Sequence, residues 1–187
     1  MNVLYAGIAN PVSVSAPMSP DKLSISFPGC SVSSQGAGKY NVTVPTSLIG
    51  KTVNASVNAK LGDAGSKAMG TTTFRVKKVP DPKAVLGAGI RSGKRSKAEL
   101  NANPVIRATM GDDFVYDLKW KVNSFQVVFT SKGMEDAPIS VQGGALNEQV
   151  KSKISKAASN TVITFQNIKV SSEAGSRTLE DFTVRVK

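Results

Sequence analysis

Asn2-Val-Leu-Tyr-Ala-Gly-Ile-Ala-Asn-Pro-Val-Ser-Val-Ser-Ala16 carries a short apolar strand, a glycine, an Asn-Pro pair and a strict Val-Ser alternation. Proline fixes its own φ and pushes the residue before it out of the helical region, so Asn10-Pro11 is predicted as a turn between two strands. In the second strand Val12 and Val14 fall on one face and Ser13 and Ser15 on the other, because strand side chains alternate with period two. One apolar and one polar face describe an antiparallel sheet with a single side on a core.

The same alternation recurs outward from this segment. Leu23, Ile25 and Phe27 alternate with Ser24 and Ser26, and Val42 and Val44 with Asn41 and Thr43. Val53, Ala55, Val57 and Ala59 alternate with Asn54, Ser56, Asn58 and Lys60. Seven strands are predicted, over residues 3–5, 12–16, 23–27, 31–34, 40–44, 53–61 and 71–79. The turns between them are rich in turn formers: Ser19-Pro20-Asp21, Pro28-Gly29, Gln35-Gly36-Ala37-Gly38 and Leu61-Gly62-Asp63. Close strand spacing with such turns predicts an immunoglobulin-like β-sandwich over residues 1–79, without the Cys…Trp…Cys core of antibody domains.

Val79-Pro80-Asp81-Pro82 ends that unit. Two prolines in three residues cannot sit in a central strand and read as a short, stiff connector. Residues 80–187 then predict a β-rich α+β domain with one or two short helices. Ser96-Lys97-Ala98-Glu99 fits a capping box, and Pro104 stops the helix near residues 101–103. Phe114, Tyr116, Leu118, Trp120 and Val122 are predicted on one face of a long strand, with Asp113, Asp117, Lys119 and Lys121 on the other. After a break at Val122-Asn123-Ser124, Phe125, Val127 and Phe129 continue in a partner strand. Asn147 opens a helix to about Ala157 whose Leu146, Val150 and Ile154 form a narrow apolar stripe. Strands over 162–170 and 182–186 close the chain, with a turn over 172–176 between them.

Composition limits the chemistry. The 187 residues contain no histidine and one cysteine, Cys30. A lone cysteine reads as a small buried hydrophobe, and without histidine the commonest general base and the commonest zinc ligand are both missing. No enzyme, cofactor or metal is expected. No run approaches the ~20 apolar residues of a membrane-spanning helix, so no insertion of this segment into a membrane is expected. A secretory signal is also lacking, and Met1 directly precedes a strand, which reads as a cut in a longer chain with an added initiator. The net charge of +11 is spread widely. Eight basic against two acidic residues up to Pro80 give +6, and sixteen against eleven beyond it give +5. A diffuse positive field fits acidic protein partners or an anionic surface.

Gly87-Ala-Gly-Ile-Arg-Ser-Gly93-Lys94 resembles a phosphate-binding loop and fails in detail. That motif needs four residues between its glycines and Ser or Thr after the lysine. Gly89 to Gly93 encloses three, Gly87 to Gly93 encloses five, and Arg95 follows Lys94. The stretch reads instead as a flexible basic loop, with Arg91, Lys94, Arg95 and Lys97 as candidate partner-binding residues. Nucleic acid is not expected as a partner: Tyr116, Trp120 and Phe125 take core-like alternating positions, and period two turns Lys119 and Lys121 away from the indole. The carboxylate pairs Asp112/Asp113, Glu135/Asp136 and Glu180/Asp181 are sequence neighbours, not two groups facing across a cleft.

The opening segment "NVLYAGIANPVSVSAP" is similar to the start of a C-terminal β-domain of the GldM/PorM family. "VPDP", a short helix ending in "ANP", then "FVYDLKWKVNSF" and a terminal hairpin resemble that family's last domain. These are shaft proteins of the Bacteroidetes type IX secretion and gliding machinery. The resemblance implies a periplasmic, non-enzymatic homodimer whose full-length form is anchored in the inner membrane by an N-terminal helix. It also implies contact with the GldL/PorL partner through that missing part, and with the GldK/PorK–GldN/PorN ring at the distal end. The role implied is coupling the proton-driven inner-membrane complex to the outer-membrane-associated ring. The alternative reading is an Ig-like adhesin or carbohydrate-binding module.

Overall fold

The computed structural model describes residues 2–17, 19–60 and 65–187. The end of the strand predicted over 53–61 and the predicted turn Leu61-Gly62-Asp63 lie outside the described residues. The chain divides into two compact units, residues 1–79 and 80–187. Both are built mainly from β-strands, as expected.

The first unit is a two-sheet sandwich. β1 (Val3–Tyr5), β2 (Ala9–Ser13), β3 (Leu23–Ser26), β4 (Ser31–Gly36), β5 (Lys39–Thr43), β6 (Thr52–Lys60) and β7 (Ser66–Lys77) fall close to the seven predicted positions. They form a four-stranded sheet in the order β1-β7-β6-β3 and a three-stranded sheet in the order β2-β5-β4. The apolar faces meet in a core of Leu4, Ala6, Phe27, Val42, Val44, Val53, Ala55 and Val76. Phe27 and Phe74 touch there with ring centroids 5.5 Å apart.

Asn10-Pro11 is not the predicted turn. The chain turns earlier, at Ala6-Gly7, where Gly7 takes φ +82°. β1 runs parallel to β7 in one sheet, and four residues later β2 runs antiparallel to β5 in the other. The proline is tolerated inside β2 because β2 is an edge strand with one neighbour. Asn10 does a different job: it is wholly buried and pins the crossing. Its Oδ1 accepts from the Tyr5 amide at 2.7 Å. Its Nδ2 donates to the carbonyls of Tyr5 at 2.9 Å, Ile8 at 3.0 Å and Val42 at 3.0 Å. One side chain thus serves both sheets and the turn between them.

The second unit centres on a larger sheet. β8 (Lys83–Leu86) pairs with β10 (Ile106–Thr109) in a two-stranded sheet. β9 (Lys94–Arg95), β11 (Lys121–Ser131), β12 (Met134–Glu135), β14 (Val162–Ser172) and β16 (Phe182–Val186) run in the order β12-β11-β14-β16-β9. β13 (Ile139–Gln142) adds to β11 and β15 (Gly175–Leu179) to β14. α1 (Lys97–Ala102) is capped by Ser96, whose hydroxyl accepts from the Glu99 amide at 3.1 Å. α2 (Glu148–Lys156) is capped by Asn147, which accepts from the Val150 amide at 2.9 Å. Val150 and Ile154 are fully buried, as their stripe predicted. Around them lie Phe125, Phe165 and Phe182, the last two stacked at 4.7 Å.

The long strand expected through 114–122 is the main correction. β11 begins only at Lys121 and runs without a break to Ser131. Its pairing with β14 shifts register between Val122 and Ser124 and again between Ser124 and Gln126. Bulges of this kind insert extra residues and reset which side chains face the core. Val122 and Phe125, three apart, are therefore both buried, which strict alternation forbids and which sequence reading took for a break between two strands.

Replacing Asn10 by alanine leaves the Tyr5 amide and three carbonyls without this partner at a buried corner. Each such orphan costs about 1–3 kcal/mol, with partial relief from water, so a loss of about 2–4 kcal/mol is expected. Urea unfolding followed by far-ultraviolet circular dichroism measures it. Trp120, the one tryptophan of the chain, lies in the second unit and reads that unit separately by fluorescence.

Candidate partner-binding site

The stretch from Gly87 to Lys97 closes on itself rather than forming an open loop. Leu86 and Ile90 exchange backbone hydrogen bonds at 2.8 and 3.0 Å, and the Gly87 amide reaches the Val105 carbonyl at 2.8 Å. Gly87 sits at φ +59°, and a Cβ there would collide with Oδ1 of Asn103. Asn103 in turn donates from Nδ2 to the Glu99 carbonyl at 2.8 Å, closing the end of α1. The glycine is required for this close approach, which gives it a packing role in place of a phosphate-cradling one.

The four candidate residues occupy different surroundings. Arg91 lies 3.8 Å from Glu180 and 6.0 Å from the Phe182 ring centroid. Arg95 donates to Glu99 at 3.0 Å, so the Glu99 carboxylate turns to this arginine at i−4. Lys97 donates to the Ser155 carbonyl at 3.4 Å, bridging α1 to α2. Lys94 stands exposed on edge strand β9 and, among the described residues, makes no ion pair. Parallel pairing of β9 with β16 sets Lys94 opposite Arg185. Local bonds thus engage three of the four cations and leave Lys94 facing solvent.

A second feature was hidden from sequence reading because 114–120 is not a strand. There the chain leaves β10, turns at Gly111-Asp112-Asp113 and continues irregularly, with a tight turn over 116–118, into β11. Between β10 and this segment lies an open groove of about 650 Å³, with Gly143 and Gly144 also lining it. Trp120 forms part of the groove wall, held from several sides. Its Nε1 donates to the Met110 sulfur at 3.2 Å, and the Arg177 guanidinium lies 5.8 Å from its ring centroid. Arg177 is itself fixed by Asp81 at 2.8 Å. Arg107, Lys119 and Lys121 line the groove against one carboxylate, Asp117. The signal available in the sequence was the Gly111-Asp112-Asp113 turn, which breaks the apparent alternation at its start.

Neither place assembles a reactive centre. Among the described residues no three metal-ligating side chains converge. Cys30 packs against the first core, and burial pushes its thiol pKa up, away from the reactive thiolate. What both places offer is positive charge beside shaped backbone, which suits binding.

Gly87→Ala adds a Cβ into Asn103 at a left-handed backbone position. The expected cost is about 2–4 kcal/mol, read as an earlier urea midpoint in Trp120 fluorescence. A midpoint within experimental error of the parent would show that Asn103 moves aside freely.

Comparison with known proteins adds the following. The family model described as GldM third domain matches residues 1–77, and that described as GldM C-terminal domain matches residues 73–187. No curated protein matches. Among solved structures, the fibronectin(III)-like modules of Clostridium thermocellum CbhA align at 16% identity over 100% of this chain and 89% of theirs, with a TM-score of 0.31. The SGBP-B protein of the Bacteroides ovatus mixed-linkage glucan utilization locus aligns at 8% identity over 99% and 43%, with a TM-score of 0.25. Protocadherin Gamma B2 extracellular cadherin domains 3–6 align at 11% identity over 98% and 51%, with a TM-score of 0.24. The chain thus spans about half or less of the last two, and likenesses this low carry no argument about its function. The family models together cover the whole chain, in order and with one short overlap: the chain belongs to the GldM family of the gliding-motility and type IX secretion machinery, as its third and C-terminal domains.

Proposed function

We propose that this chain is a periplasmic, non-enzymatic part of the shaft that couples the proton-driven inner-membrane complex to the outer-membrane-associated ring. The observation that carries the reading is the unbroken succession of two GldM domains over the full length. Two ordered β-rich units, each with its own core, suit a part that transmits force without doing chemistry. In this reading the chain works as a homodimer, reaches GldL/PorL through parts of the protein outside it, and meets the GldK/PorK–GldN/PorN ring at its distal end. No helix of the described residues is long and apolar enough to cross a membrane.

The ring contact is assigned to Arg91, Lys94, Arg95 and Lys97, with Lys94 the most available of them. A pull-down of purified ring proteins by this chain tests the assignment. Lys94→Glu combined with Arg95→Glu is expected to weaken capture at least tenfold at physiological salt and to leave the melting curve nearly unchanged. Surface ion pairs such as Arg95–Glu99 contribute about 0–1 kcal/mol, so folding tolerates their loss. Undiminished capture by the double variant overturns the assignment of the contact. No capture by the parent chain, together with a monomer in solution scattering, overturns the shaft reading.

A further inference from the structure

We propose that the groove between β10 and residues 116–121 binds an extended, acidic peptide segment of a partner protein as an added β-strand. The inference rests on the groove alone and goes beyond the shaft reading.

The first support is the backbone of β10. Pairing with β8 sets Ile106 opposite Leu86 and Ala108 opposite Ala84. Leu86 spends its own N–H and C=O on Ile90, and the Ile106 amide turns outward to the Gly144 carbonyl at 2.7 Å. Antiparallel pairs alternate between bonded and non-bonded, so Ala108, two residues on, also points its N–H and C=O away from β8. That direction is the groove, which Ala108 lines. Among the described residues neither Ala108 group has a partner in the chain.

The opposite wall also carries unpaired amides, in a segment that turns. Leu118 closes a tight turn onto the Tyr116 carbonyl at 2.9 Å. Among the described residues the amides of Asp117, Lys119 and Trp120 bond to nothing in the chain. One extended backbone, β10, and a turn-bearing segment with unpaired amides therefore flank one trough, and the chemistry that satisfies the open side of β10 is another extended backbone. The volume lies within the range of ligand-binding clefts.

Side chains specify what kind of strand. Tyr116, Trp120 and Met110 give one side of the groove an apolar seat. Arg107, Lys119 and Lys121 outnumber Asp117, and all three are exposed. The complementary segment carries an apolar residue for the Trp120 seat and Asp or Glu on both sides of it. Its backbone supplies affinity and its acidic flanks set the register and select the partner.

Trp120 is the one tryptophan of the chain and lines the groove, so its emission reads occupancy directly. The probe is a synthetic peptide alternating Glu or Asp with Val around a central Phe, titrated into the full chain at low salt. A saturable blue shift is expected. Methylating alternate backbone amides of the peptide is expected to weaken binding at least tenfold, as is Ala108→Pro, which removes an outward N–H. Lys119→Glu with Lys121→Glu is expected to weaken binding at least tenfold with an unchanged circular dichroism melt, and a lysine-for-glutamate peptide is expected to leave the emission unmoved. Should Ala108→Pro fail to fold, the methylated peptide on the parent chain asks the same question. Absence of a saturable shift, or equal binding of the methylated peptide, overturns the proposal. So does a blue shift that grows with protein concentration alone, which assigns the groove to a second copy. Failure of ring capture in the preceding experiment leaves this result standing, and the reverse also holds.

Discussion

Buried backbone groups must find partners, and the places where a ladder stops supplying them shape both units. In the first unit the chain leaves one sheet at Tyr5 and joins the other at Ala9. A strand cannot change sheets without breaking its ladder, so the groups at the break need another partner. The Asn10 carboxamide is that partner, with one acceptor and two donors matched to an amide and three carbonyls. Leucine or valine at this position would fit the alternation equally well and leave the corner unpaired. The apolar pattern builds two faces, and one polar side chain joins them.

The second unit meets the same constraint with bulges. β11 slips phase twice against β14, and polar side chains on the outer face span the slip. Asn123 and Ser171 exchange hydrogen bonds at 3.0 and 3.2 Å, and Asn167 donates to Gln126 at 2.8 Å. The slip lets Val122 and Phe125 share one core, which aligns the later apolar residues, Val127 and Phe129, with α2. Local geometry near β11 is thus set by where its phase changes, not by how apolar it is.

This explains what the sequence made legible. Strands with strict alternation, such as 40–44 and 182–186, were readable because one face is uniformly apolar. Both helices were readable from their caps, since Ser96 and Asn147 announce the turn that follows. The basic residues at 91–97 were visible as a charge run, but their surroundings were not: Glu180, Ser155 and β16 lie dozens of residues away in sequence. The Asn10-Pro11 pair misled because proline signals turns locally, whereas an edge strand also accepts it. Residues 114–120 misled more deeply. Their alternation is that of a strand, yet the chain bends at Tyr116 and turns onto it from Leu118, and no periodicity records whether a neighbour is there to hold a strand straight.

That missing neighbour gives the charge of the second unit its meaning. Among the described residues, five ion pairs there each tie a lysine or arginine to a local carboxylate: Arg91–Glu180, Arg95–Glu99, Lys151–Glu148, Lys153–Asp136 and Arg177–Asp81. Pairs this exposed add little stability, but each neutralises its neighbourhood within a Debye length of about 8 Å. Among the described residues the other eleven basic residues of this unit make no such pair, Lys94, Arg107, Lys119 and Lys121 among them. Arg107, Lys119 and Lys121 line the groove beside β10, and Lys94 stands on the edge of the large sheet. At the groove three of these cations stand beside unpaired backbone groups. The rest of the surplus is spread over the unit, so what marks the groove is positive charge set beside open backbone, not the charge alone.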